Sequence, residues 1–152
     1  MSAKGYSDEL QRALSRPDAD NLLRQIDAYI AHNACGDSEW PDASADDFAE
    51  IISCYRDDPD KALAYVVIAV SRSDDAGFLS SMGCGQLEDV LRNPSSELLE
   101  RIVAEARKSA RFRWLLSCPF KIAIAPRAWD AIKPFRITGP HAEPPLDTLP
   151  PR

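Results

Sequence analysis

Histidine is nearly missing from this chain: two occur in 152 residues, His32 and His141. A Ser-His-Asp or Cys-His site is hard to build from them, because such sites need an imidazole held between a nucleophile and an orienting group. Glycine is also sparse, with six residues. Neither Gly-X-X-X-X-Gly-Lys nor Gly-X-Gly-X-X-Gly occurs, so the backbone cradles that hold phosphates are absent. Gly83-Cys84-Gly85 lacks a third glycine and a preceding strand, and it reads as a helix-ending turn. No apolar run approaches the roughly 20 residues that cross a bilayer, and residues 1–11 lack the apolar core of a secretory signal. Four cysteines, at 35, 54, 84 and 118, make no close pair, which fits neither a zinc knuckle nor a redox Cys-X-X-Cys. They read as reduced, buried thiols, which places the protein in the cytoplasm. No cofactor, no metal and no catalytic residue is expected, and no membrane partner.

What remains is a soluble composition, 45% hydrophobic and 28% charged, at a length that suits one domain with its own core. Its least polar stretch is residues 62–70, Ala-Leu-Ala-Tyr-Val-Val-Ile-Ala-Val. Val and Ile favour strands, but capping decides for a helix: Asp58 is a good N-cap and Pro59 suits the first helical position. A helix apolar on all sides must be covered on most of them. Ser73, Asp74 and Asp75 open the next helix, carrying Phe78, Leu79 and Met82. Leu87, Val90 and Leu91 follow at helical spacing, with Glu88 and Asp89 turned away.

These residues also carry a resemblance. Leu79, Gly83, Gly85, Leu87, Glu88, Asp89, Val90 and Leu91, followed by Arg111-Phe112-Arg113 and then Trp129, resemble a family of small bacterial helical domains of unknown function. Its members share a Leu-X-X-X-Gly-X-Gly-X-Leu-Glu-Asp-(Leu/Val)-Leu pattern, and the likeness covers residues 58–133. It implies a helical fold and brings no established activity.

Along the rest of the chain, residues 7–15 form a short helix. Leu22, Leu23, Ile26, Tyr29 and Ile30 make the apolar stripe of a second, capped by Asp18 or Asp20. His32 and Cys35 share a helical face but lack a second ligand pair. Ser44 and Asp47 approximate a capping box before Phe48, Ile51, Ile52 and Tyr55. Asn93-Pro94 repeats the cap-plus-proline entry ahead of Leu98, Leu99, Ile102, Val103 and Ala106. Glu97–Arg101 and Arg101–Glu105 pair at i, i+4 on that helix. Ser109 caps a helix with Phe112, Leu115 and Leu116; the interleaved Lys108, Arg111 and Arg113 invite nucleic acid, which the acidic pI near 4.9 disfavours. Phe120, Ile122 and Ile124 alternate as in an extended segment, and Pro126 opens a last helix with Trp129 and Ile132. The fold class expected is all-α: a compact single domain of about seven or eight short helices in antiparallel hairpins, like a helical-repeat stack. Residues 1–133 form that domain. Residues 134–152, with six of the twelve prolines, are an extended or disordered tail, and truncation after Arg136 leaves the melting temperature nearly unchanged.

Net charge is −6, but residues 1–60 hold fourteen acids against five Lys and Arg, whereas residues 93–136 hold four against nine. This acidic half, with no catalytic motif, points to a protein-interaction module, in its concrete form an immunity-type inhibitor that covers the active site of a basic toxin. Candidate partner-binding residues are Trp40, Asp46, Asp47, Glu50, Asp57, Asp58 and Asp60. Two rivals stand beside it: an enzyme binding a metal or small ligand through Asp46, Asp47, Glu50, Glu88 and Asp89, and a homo-oligomeric structural protein.

Overall fold

The computed structural model describes residues 7–35 and 42–152. The chain runs as α1 (Asp8–Leu14), α2 (Ala19–Cys35), α3 (Asp42–Ser53), α4 (Pro59–Arg72), α5 (Ala76–Met82), α6 (Glu88–Leu91), α7 (Ser96–Lys108), α8 (Ala110–Leu116) and α9 (Pro126–Ile132). No strand occurs among the described residues. The fold is all-α.

Helix α4 is its centre. The Lys61 N–H donates to Asp58 Oδ1 at 3.0 Å and Pro59 opens the first turn, so the local chemistry that starts the helix is as the sequence dictates. Ala62 through Ala69 are then buried without interruption, because α1, α2, α5 and α8 all pack on α4. Burying each of its Leu, Val and Ile side chains contributes roughly 1.5–3 kcal/mol. Tyr65 brings a hydroxyl into this core, where it donates to Gln25 Oε1 of α2. Gln25 Nε2 in turn donates to Asp47 of α3 at 3.1 Å. The buried polar atoms of three helices are thereby satisfied in one chain.

The glycine pair does not end a helix. Gly83 has φ −65° and ψ −45°, ordinary right-handed values, and α5 continues through a π turn (Gly83–Leu87) directly into α6. What Gly83 supplies is room. A Cβ on it would stand 2.7 Å from Cys118 Cβ and 2.9 Å from the Leu115 carbonyl oxygen, so its bare backbone lets the end of α8 dock against the π turn.

Helix starts are also adjusted. Ser95, not Asn93, caps α7 by accepting from the Leu98 N–H at 3.1 Å. Asp75 caps α5 and Ser109 caps α8. Helix α3 begins at Asp42, ahead of Ser44, and Asp47 turns toward α2 rather than closing a capping box. The alternating segment after Cys118 is extended only at Phe120 and Ile124, with a 3-10 turn (Lys121–Ala123) between them.

Beyond α9 the chain makes two 3-10 turns (Lys133–Phe135 and Leu146–Thr148) with irregular segments between and after them, yet it lies against the helices. Arg136 Nη1 donates to the carbonyls of Leu116 and Pro119 at 2.9 and 2.6 Å. Its ring-facing side covers Trp129, which Lys121 approaches as well. The Ile137 N–H donates to Ser117 Oγ at 2.9 Å, Pro144 is buried, and Leu149 packs on the core. A proline-rich segment makes no core of its own. It can still cover one, because its backbone needs few hydrogen bonds beyond those the helices offer.

Candidate functional site

The acidic half of the chain folds around three cations. Arg16 leaves the α1–α2 turn and reaches Asp18 Oδ1 at 2.9 Å, Asp60 Oδ2 at 2.8 Å and Asp58 Oδ2 at 3.2 Å. Arg101 of α7 grips Glu9 through Nε and Nη2 at 2.7 and 2.8 Å, and its Nη2 lies 2.7 Å from Asp60 Oδ1. Lys61 reaches Glu50 at 2.5 Å. Asp60 therefore ties the α1–α2 turn, α4 and α7 together. The bidentate Arg–carboxylate geometry is the strong form of such a contact. Contact with Asp18 raises the proton affinity of Arg16, and contact with Glu9 does the same for Arg101. Asp18 is held below the ordinary carboxylate range, chiefly by its bond to Arg16. On the next face, Arg24 grips Asp47 with both terminal nitrogens, at 2.9 and 3.1 Å.

This arrangement sorts the candidate residues. Asp47, Glu50, Asp58 and Asp60 are committed to cations within the fold. Their local placement follows from helix starts, since Asp58 and Asp60 sit at the positive end of the α4 dipole. Asp46 and Asp57 are exposed, and no ion pair engages either among the described residues. Asp46 is on α3 and Asp57 follows it in the chain; between them Ala49 and Ser53 are exposed and Ile52 is 42% exposed. Arg56, next to Asp57, stays on Tyr55, with its Nε donating to the hydroxyl at 3.3 Å. Trp40 lies outside the described residues.

Four of the five carboxylates of the rival enzyme reading are occupied separately. Glu88 accepts from the Phe120 N–H at 3.2 Å and Asp89 from Arg92 Nε at 2.9 Å. Among the described residues no group of three His, Cys, Asp or Glu is arranged to hold a metal. Cys54 is buried and its thiol is pushed up to about 12 by loss of solvent and the nearby Glu50. Cys84 is likewise raised, by contact with Cys118, by burial and by Glu143. Thiols that hold their protons this firmly are poor nucleophiles. A shallow cavity of roughly 570 Å³ between α7 and α9 is lined by Leu99, Val103 and Ala131, with Glu100, Arg107 and Arg127 at its edges. No helix among the described residues is long and apolar enough to cross a membrane.

Sequence reasoning missed the arginines. The i, i+4 pairs expected on α7 do not form, because Arg101 turns to Glu9 and Asp60 instead. Arg111 belongs to the core: it is 5% exposed. Its Nη1 donates to the carbonyls of Ser73 and Val70 at 2.7 and 3.2 Å, its Nε to that of Pro150 at 2.9 Å, and its Nη2 to Asp74 at 3.0 Å. Phe112 and Trp114 beside it are fully buried, so the basic-aromatic run is packing material. The only hint in sequence was Arg111 falling on the apolar stripe of its helix.

Helices around a buried α4, tied across their outer surface by arginine, define an all-α domain. The chain belongs to a family of unknown function (DUF6869), which matches residues 37–139. That span contains the whole of residues 58–133 and leaves α1, α2 and residues 140–152 outside. No curated protein and no solved structure matches the chain.

Proposed function

We infer that this is a cytoplasmic bacterial protein-interaction module, in its concrete form an immunity-type inhibitor of a basic toxin. The observation that carries the reading is the sorting of the acidic residues: four are neutralised within the fold, while Asp46 and Asp57 have no ion pair among the described residues and lie close in sequence to the exposed Ile52. Such carboxylates near an apolar residue suit a basic partner, which they steer into place while the apolar contact slows its release. Asp47, Glu50, Asp58 and Asp60 then serve the surface by holding α3 and α4 in position, and Trp40 precedes α3 as a further anchor. The likeness of residues 79–91 to small bacterial domains supports the bacterial assignment.

The test is recovery of a partner with the tagged protein at low salt, comparing Asp46→Lys/Asp57→Lys with the remote control Glu97→Lys. Loss of a stoichiometric, salt-sensitive partner in the double variant alone, with its melting temperature unchanged, is the expected result. A partner held equally by all three proteins overturns the reading.

A further inference from the structure

The C-terminal segment lies in a groove whose chemistry is that of a peptide-binding site. Its floor is the fully buried Trp114 of α8, whose indole N–H donates to Thr148 Oγ1 at 3.0 Å. Arg111, next to it, donates from Nε to the Pro150 carbonyl at 2.9 Å. At one end Ser80 of α5 donates to Glu143 Oε1 at 2.9 Å, and the Cys84 thiol reaches the same oxygen at 3.1 Å. At the other end Arg152 donates to the Ser71 carbonyl at 2.8 Å and to Asp74 Oδ2 at 3.0 Å. The segment's backbone is polyproline-like on both sides of a single 3-10 turn (Leu146–Thr148): Pro145 has φ −58° and ψ 141°, and Leu149 has φ −60° and ψ 120°. An aromatic floor, an indole donor and a guanidinium on a backbone carbonyl of an extended proline-containing strand are elements of polyproline recognition. Every groove residue named lies within the family match of residues 37–139, and the occupant begins just after it.

We propose that this groove is a docking site for an extended, proline-containing segment of a partner protein that ends in a cation, and that residues 140–152 are its intramolecular occupant. Thr148 supplies the acceptor for the indole, the Pro150 carbonyl the acceptor for Arg111, and Arg152 the cation for Asp74 and Ser71. Tethering gives this occupant an effective concentration in the millimolar range, so a partner gains the groove only by displacing the strap. The site lies apart from the outer side of α3 and does not depend on the acidic-surface reading.

The test keeps the full chain. A protease site is inserted at the exposed Gly139-Pro140 turn, the folded protein is nicked, and exchange of the cut segment with a fluorescent synthetic copy of residues 140–152 is followed by anisotropy. The nicked protein is expected to keep its helical circular dichroism and to bind the labelled peptide, while the uncut protein does not. Thr148→Val in the peptide leaves the indole unpaired and weakens binding roughly tenfold; Arg152→Ala weakens it in a salt-sensitive way. A peptide of otherwise unrelated sequence that keeps proline, threonine, proline and arginine at the spacing of Pro145, Thr148, Pro150 and Arg152 binds, and a scrambled copy does not. Loss of helicity on nicking shows that the strap is part of the core and overturns the proposal. So does a folded nicked protein that binds no peptide, an uncut protein that binds it equally well, or a dimer in which two chains exchange straps.

Discussion

Two glycines two residues apart should respond to alanine with opposite signs. At Gly83 the backbone is right-handed helical, so alanine relieves the usual helix-interior penalty of glycine, a gain of about 0.8–1.0 kcal/mol. Against this, the new methyl meets Cys118 Cβ at 2.7 Å, the Leu115 carbonyl oxygen at 2.9 Å and Cys118 Sγ at 3.0 Å. Two of those three, Cys118 Cβ and the Leu115 oxygen, are fixed by the backbone at and just after the end of α8 and cannot rotate away. Overpacking costs typically 1–3 kcal/mol, and contacts this short with atoms that cannot move away place it at about 2–3 kcal/mol, which leaves a net loss of about 1–2 kcal/mol. At Gly85 nothing stands within 4 Å of the added carbon, so only the propensity gain remains. For a chain of this size each kcal/mol moves the midpoint by about 2–4 °C. Thermal denaturation by circular dichroism should therefore show Gly83→Ala melting roughly 2–8 °C below the parent and Gly85→Ala roughly 2–4 °C above it. Adding Cys118→Ala to Gly83→Ala removes only the Sγ contact and should not restore stability. A Gly83→Ala protein as stable as the parent, or a parallel fall at both sites, would refute the packing argument.

Further consequences follow from other buried groups. Arg111→Met strands the carbonyls of Val70 and Ser73 and should cost about 1–3 kcal/mol in urea denaturation, as a buried acceptor left without its donor does; a cost near that of a surface arginine would count against its core role. Val67→Asp places a charge at a position 3% exposed and should abolish the cooperative melt; a soluble variant that melts sharply would contradict the placement of α4. Glu105 is held above the ordinary glutamate range chiefly by burial, with Glu9 adding to it and a bond from Ser7 opposing it. Because the folded state binds that proton more tightly, stability should rise as pH falls from neutral through the folded pKa toward the ordinary value, then level off. Glu105→Gln should remove this rise and stabilise the protein most at neutral pH, as read from melting curves between pH 4.5 and 7.5. Asp18 works in the opposite sense: its contribution is present above the ordinary aspartate range and is lost as pH falls through its depressed folded value, so Asp18→Asn should flatten only the acid limb of the stability profile.

The elements that could be read ahead of the structure were those set by near neighbours. Asp58-Pro59 opens α4 and Ser109 caps α8 because a side-chain oxygen and the backbone N–H groups it serves lie three residues apart. The all-apolar run at residues 62–70 forced a central helix because no other placement removes it from water. The same local reasoning failed at Gly83, where the backbone stays helical and the glycine answers a helix that arrives from residues 115–118. It failed again at Arg101, whose acids lie 92 positions away at Glu9 and in the first turn of α4.

Composition and spacing by themselves determined that the chain is helical, where most helices begin, and that α4 is buried. They also determined that acids concentrate in the first sixty residues and prolines at the end. Only the tertiary structure decided which of those acids are paired among the described residues, since pairing with Arg16, Lys61 or Arg24 depends on helices distant in sequence meeting at one point. The same holds for the tail: its prolines were plain in the sequence, but the indole of Trp114 and the guanidinium of Arg111 gave it a place to lie. Helix initiation is settled by hydrogen bonds over three or four residues. The fate of a charge or a strap is settled by which surfaces the packed helices bring together, and that depends on the whole chain at once.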